Sequence, residues 1–207
     1  LVSHLAVHAA VLAAVLVVRS VAVRSHDKAR VCRTLLALLG LPVVFSAKAW
    51  LLPDVHPEPY EYALLHLDRT WFGGDPARLA DAWLRPVGVE GLQIAYALFY
   101  VIPIVAVVAA HRGAGAAAFD RALLLLVSGF LASYLGYLLV PTLGPKVVLA
   151  FPRPVEGVWC TDALRSWIGA GEANPWDCFP SGHTWLVVTG LIVVFRWHRR
   201  CFWILLV

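Results

Sequence analysis

Lys146, Arg153, Ser181, Gly182 and His183 are the residues of this 207-residue chain whose types and spacing suit chemistry best. They fall in two strings, Lys146-x6-Arg153-Pro154 and Phe179-Pro180-Ser181-Gly182-His183, and the second opens an uncharged run. A phosphoryl group in transfer spreads its charge over three equatorial oxygens, so catalysis needs positioned cations, N–H donors and an acid for the leaving oxygen. Lys146 offers a point charge and Arg153 a bidentate fork. A helix nucleated at Pro180-Ser181 would aim backbone N–H groups and its positive end at the same anion, with Gly182 permitting close approach. Pro152 and Pro154 forbid a regular helix through Arg153, so 144–154 is expected as an extended loop folded over the phosphate. The plainer assignment makes Ser181 a helix cap and His183 an interfacial side chain.

The two strings resemble the first two signature motifs of the type 2 phosphatidic acid phosphatase superfamily, the membrane relatives of bacterial acid phosphatases and vanadium haloperoxidases. The resemblance implies that Lys146 and Arg153 bind substrate phosphate and that His183 is the general acid. The family's third motif, Ser-Arg-x5-His-x2-Asp, supplies its nucleophilic histidine, and no such string exists in these residues. Two further strings, Leu67-Asp68-Arg69-Thr70-Trp71-Phe72-Gly73-Gly74-Asp75-Pro76 and Tyr137 to Lys146, resemble the inositol phosphorylceramide synthase-like branch, although Gly182 is the phosphatase-like form of motif two. Asp68 is therefore an accessory candidate for the site, against a plain role as a solvated charge or cap. The resemblance implies a lipid phosphate or phospholipid substrate and no cofactor.

The elements that must position these residues are read from charge. Hydrophobic residues make up 60% and charged residues 14%, against about 25% charged in a soluble domain. Gly91–Ala110 and Ala122–Pro145 carry no formal charge, and about 20 apolar residues cross a ~30 Å hydrocarbon core as a helix. Leu1–Val18, Thr34–Leu52 with Lys48 near its end, the shorter Ser181–Phe195 and a run beginning at Cys201 complete the expected set. The expected fold is all-α, a polytopic transmembrane bundle of about six helices, because open sheets leave backbone groups unsatisfied in lipid. With no methionine and with apolar runs at both ends, the 207 residues are expected to be a fragment of a single membrane domain, inactive by itself.

Loop charges orient the bundle. Arg19–Arg33, 111–121 and Arg196–Arg200 are basic, whereas 53–90 carries Asp54, Glu58, Glu61, Asp68, Asp75, Asp81 and Glu90 against Arg69, Arg78 and Arg85. The positive-inside rule makes the basic connections cytoplasmic. It turns 53–90, an amphipathic segment with Tyr60, Tyr62, Trp71, Phe72 and Trp83, and the catalytic loop 144–183 outward. The expected location is a bacterial plasma membrane with the site facing out. The net charge of +4 reflects these connections. No basic run is interleaved with stacking aromatics as a nucleic-acid surface would be.

Cys160 and Cys178 share the outer loop, where an oxidising compartment would permit a bridge, against four unrelated thiols as the alternative. No Cys-x-x-Cys or His-x-x-x-Cys grouping points to a metal, and His4 and His8, on one helix face, lack a partner pair. Trp159, Trp167 and Trp176 read as interfacial anchors. Three functions stay open: a lipid-phosphate phosphatase working through a phosphohistidine, a phosphoinositol transferase passing a phosphoryl-alcohol group to a lipid hydroxyl, and a noncatalytic membrane protein or transporter remnant. Transport would favour charges in mid-helix, and the apolar runs hold none there.

Overall fold

A computed structural model describes residues 6, 9, 10, 12–17, 19, 20, 26–56, 58–151, 155–171 and 176–206. Among the described residues the regular structure is helical, without strands. Helix α1 spans His26–Val55, α2 Glu61–Phe72, α3 Pro76–Trp83 and α4 Pro86–Ala97. A 3-10 turn at Leu98–Tyr100 leads into α5, Ile102–Leu139, and the short α6, Pro145–Val148. Helices α7, Thr161–Gly171, α8, Gly182–Trp197, and α9, Arg199–Leu205, follow. Proline opens α3, α4 and α6 and stands in the first turn of α5, where its missing N–H would have had no helical partner anyway.

Two helical stretches are long and apolar enough to cross a membrane, Arg30–Pro53 and Ile102–Leu139, and Gly182–Trp197 is a shorter apolar helix. Half of the expected run Leu1–Val18, including His4 and His8, lies outside the described residues. The boundaries of the next runs differ from those expected. Gly91–Ala110 is interrupted by the 3-10 turn, and its second half continues through 111–121 into the run that starts at Ala122.

That continuity hides a reversal. Ala114 (φ −149°, ψ 22°) and Gly115 (φ 72°, ψ −162°) are non-helical inside α5, and glycine reaches positive φ without a Cβ clash. A straight 38-residue helix would be about 57 Å long, more than twice the length of α8. Yet α8 meets α5 at its start, middle and end: Gly182 faces Tyr137, Gly190 faces Ile102 and Gly113 faces Trp197. Only a hairpin folded at 114–115 brings these sites to one 16-residue helix. The turn falls within the connection 111–121 expected from its charges.

Small residues let the three segments close together. A Cβ on Gly190 would stand 2.6 Å from Ile102, and one on Gly129 would enter the Trp185 ring. Ala106, Ala110, Ala122, Leu126, Leu186, Val193 and Val194 form the core between them. Close packing through small residues is how helices associate where lipid removes the hydrophobic drive. The outward faces stay apolar: Leu39 is 68% exposed, Leu124 68% and Ile192 63%.

Charge separates the two ends of the fold. Arg30 and Arg33 reach Asp120 at 3.4 and 3.3 Å, which joins the 19–33 and 111–121 connections. Trp197 against Gly113 brings the 196–200 connection to the same end. The opposite end carries Lys146 and the string 179–183.

Candidate phosphate-binding site

Ser181 is the N-cap of α8, with extended backbone (φ −71°, ψ 106°), following a cis Phe179–Pro180 peptide. Its hydroxyl oxygen accepts from the Thr184 N–H at 3.2 Å and from the Thr184 hydroxyl at 3.0 Å. The Gly182 N–H donates to the Tyr137 hydroxyl at 3.1 Å. Three bonds thus shape the helix start: the Ser181 oxygen accepts twice within the cap, and the Gly182 N–H is taken by Tyr137. The close approach that Gly182 permits is to α5, because a Cβ there would lie 2.8 Å from the Tyr137 hydroxyl and 3.3 Å from Phe130.

His183 sits in the first turn of α8 and is held by an aromatic seat. Its Nε2 lies 3.1 Å from the Tyr96 hydroxyl, and its ring is centred 4.2 Å from that of Phe99. Tyr96 near the end of α4 and Phe99 in the 3-10 turn are three residues apart, so the helical winding presents both rings on one side. The 3-10 turn that interrupts the expected span thus positions the acid candidate.

Lys146 reaches the same end by a different route. Glu61, at the start of α2 and 4% exposed, accepts the N–H groups of Leu143 and Gly144 at 3.0 and 2.9 Å. The Cys178 N–H donates to the Thr142 carbonyl at 3.5 Å, and the Tyr60 N–H donates to the Pro141 carbonyl at 2.9 Å. Gly144 (φ 81°) approaches Cys178 closely enough that a Cβ would stand 3.0 Å from the thiol sulfur. Lys146 follows on α6 as an exposed cation, so 144–154 begins with a helical turn and becomes extended at Leu149, correcting the expected uniform loop. Burial pushes the Cys178 thiol up, aided by Glu61 and Asp177, while the Lys146 charge pulls it down.

Arg153 lies outside the described residues. The flanking Phe151 and Val155 line a cleft of about 910 Å³ together with Arg78, Asp81 and Glu156. Farther along, the buried Glu90 on α4 accepts the N–H groups of Val158, Trp159 and Cys160 at 2.9, 3.0 and 2.8 Å. It also accepts from the Cys160 thiol and the Thr161 hydroxyl, each at 2.7 Å. The thiol and these N–H and O–H donors hold the Glu90 carboxyl well below the usual carboxylate range, and the carboxylate in turn pushes the Cys160 thiol up. Cys160 and Cys178 are both free thiols, so the bridge the sequence would permit is not formed. Cys160 is engaged at Glu90 instead.

Asp68 is half-buried on α2. The acid tied down in its string is Asp75, the N-cap residue of α3, which pairs with Arg69 at 2.6 Å and Arg78 at 3.8 Å. The hydrogen bond from Arg69 is the main reason the Asp75 carboxyl is shifted down. Among the described residues no three His, Cys, Asp or Glu side chains converge as a metal site would require. Tyr96, Glu61 and Glu90 are positioning groups that the strings did not name, and Tyr137, the first residue of the 137–146 string, is another to which no role was given. A faint sequence signal was there: Glu90 abuts an uncharged run, and both tyrosines stand inside such runs.

No family model matches the chain, and no curated protein or solved structure is significantly similar to it.

Proposed function

We propose that this chain is the phosphate-holding part of an integral membrane lipid-phosphate phosphatase or phosphotransferase of the type 2 phosphatidic acid phosphatase kind. One observation carries the reading: the loop bearing Lys146 and the helix start bearing His183 are laced together, through Thr142, Cys178 and Glu61, at the end opposite the Arg30/Arg33–Asp120 cluster. The uncharged helices, with their apolar outward faces, form a polytopic bundle of about six spans. The basic end lies in the cytoplasm and the site faces outward from a bacterial plasma membrane.

In this reading Lys146 and Arg153 neutralise the equatorial oxygens of a phosphate ester, and the positive end of α8 adds to their field. His183 gives its proton to the leaving alcohol as the P–O bond breaks, while Tyr96 and Phe99 keep its ring in place. The phosphoryl group passes to a nucleophilic histidine and from there to water. That nucleophile belongs to the third motif, which is not among these 207 residues, so this chain alone binds phosphate without turning it over. In the transferase alternative the same cradle passes a phosphoryl-alcohol group to a lipid hydroxyl. What supports this alternative is the likeness of the string at 67–76 to that branch, a string in which Arg69 pairs with Asp75 at 2.6 Å.

Titration of the protein in nanodiscs with orthovanadate tests the reading. A charge-assisted hydrogen bond contributes about 1.5–3 kcal/mol. Arg153→Ala should therefore weaken vanadate binding by about ten- to a hundredfold, and Lys146→Ala should weaken it too. Affinity unchanged in the double variant would contradict the assignment.

A further inference from the structure

We propose that α3 is a membrane anchor, with its Leu79–Trp83 side set into the headgroup layer of the bilayer at the end of the fold that carries Lys146 and His183. The proposal rests on the reading of the chain as an integral membrane protein. Pro76, Leu79, Ala80 and Trp83 stand at i, i+3, i+4 and i+7 on α3 and so form one apolar side. Arg78 and Asp81, the only charged residues of the helix, stand on the other side and line the cleft with Val89 and Glu156. A surface helix of a soluble protein turns its apolar stripe to the core and its charges to water. Here the order is reversed. Leu79 is 46% and Trp83 86% exposed, and no residue of α3 is buried, while the charged side lines a cleft of the protein.

Three observations make lipid the occupant of that apolar side. The first is place. Glu61 on α2 holds the N–H groups of Leu143 and Gly144, and Tyr96 on α4 meets His183, so α3 is strung between two elements fixed to the site end. The second is residue type. Trp71 and Phe72, 69% and 60% exposed, close α2 just before the Gly73–Gly74 turn into α3. Tryptophan, an apolar ring with one N–H donor, is enriched where a membrane meets water. The third is charge. Asp75 and Asp81 balance Arg78 and Arg85, so the segment carries no net field to steer a charged macromolecule onto it.

Length decides how the helix meets the bilayer. Eight residues make a helix about 12 Å long, far short of a ~30 Å hydrocarbon core. It lies along the surface, and an amphipathic helix lying so sinks its apolar side about 5–10 Å into the boundary of headgroups and acyl chains. Asp75 couples this anchor to the rest of the fold, because it caps α3 and pairs with Arg69 on α2 and Arg78 on α3. A bilayer-held α3 thereby keeps the site end at headgroup depth, where the phosphate of a lipid lies.

The test is photocrosslinking of the whole chain in phosphatidylcholine nanodiscs, with photoreactive p-benzoylphenylalanine replacing Leu79, Asp81, Trp83 or Ile192, one at a time. Lipid and protein adducts are mapped by mass spectrometry, and circular dichroism checks folding. At Trp83 one exposed ring replaces another, so the fold is not challenged there. Ile192, 63% exposed on α8, reports whether the bundle itself stands in lipid. Positions 79 and 83 should give several times the lipid adduct of position 81, and position 192 should react with lipid as well. Yields at 79 and 83 no higher than at 81, with adducts present at 192, would overturn the anchor and leave the membrane reading intact. Crosslinks from 83 to a second copy of the chain in place of lipid would overturn it in the same way. No lipid adduct at 192 would overturn the membrane reading itself, and this proposal with it.

Discussion

Gly182→Ala is the substitution whose effect the structure fixes most closely. The added Cβ would sit 2.8 Å from the Tyr137 hydroxyl, 3.3 Å from Phe130 Cε2 and 3.4 Å from Ser133 Cβ. Tyr137 is only 1% exposed and cannot swing aside. Overpacking of this kind costs about 1–3 kcal/mol, and displacing the Gly182 N–H from its acceptor adds about 1 kcal/mol. The helix preference of alanine offsets at most about 1 kcal/mol. A net loss of about 1–3 kcal/mol should appear in denaturant unfolding in mixed micelles followed by circular dichroism. Gly169→Ala is the control, because its Cβ would meet nothing within 4 Å, and it should be neutral or more stable by up to about 1 kcal/mol. Adding Tyr137→Phe removes the oxygen that the new Cβ strikes. The double variant should therefore be more stable than the sum of the single losses by about 1 kcal/mol. A Gly182→Ala protein as stable as Gly169→Ala, or strictly additive losses, would refute the close approach of α8 to α5 on which the site rests.

Two further outcomes follow from the site. In a form of the protein that also carries the nucleophilic histidine, His183→Ala should depress turnover of an alkyl phosphate far more than that of a nitrophenyl phosphate, whose leaving group needs no proton; equal losses would remove His183 from the acid role. Glu90 titrates below its ordinary range in the folded protein, so its contribution to stability is complete above the usual carboxylate pKa and is lost as pH falls through and below it. The difference in melting temperature between parent and Glu90→Ala should narrow from pH 7 toward strongly acidic conditions, and a constant difference would contradict its bonding to 158–161.

The all-helical class was legible in the uncharged runs, but their bounds were not: a 3-10 turn at Leu98–Tyr100 divides Gly91–Ala110, and the helix through Ala122 stops at Leu139. The sidedness of the connections was legible as well: three basic loops were expected together, and Arg30, Arg33, Asp120, Gly113 and Trp197 do gather at one end. The Ser181 cap could be read from residue type alone. What escaped was whatever depends on contacts distant in sequence. Nothing local tells that Glu61 meets Leu143, that Tyr96 meets His183 or that Gly182 is small for the sake of Tyr137. The turn at Pro145–Val148 escaped for a different reason. Pro152 and Pro154 argued against a helix through the whole segment, while Pro145 stands where proline favours the start of one. Asp68 and Asp75 compete within one string, and only the Arg69 pairing separates them.

Acetylation with a membrane-impermeant amine reagent on intact cells, mapped by mass spectrometry with and without orthovanadate, tests the central claim most directly. Lys28 lies on α1 near the basic end and Lys146 on α6 at the site. The account predicts that Lys146 is modified from outside and that vanadate protects it, while Lys28 reacts only after permeabilisation. Lys146 acetylated equally with and without vanadate, or Lys28 modified in intact cells, would contradict an outward-facing phosphate site built on this loop.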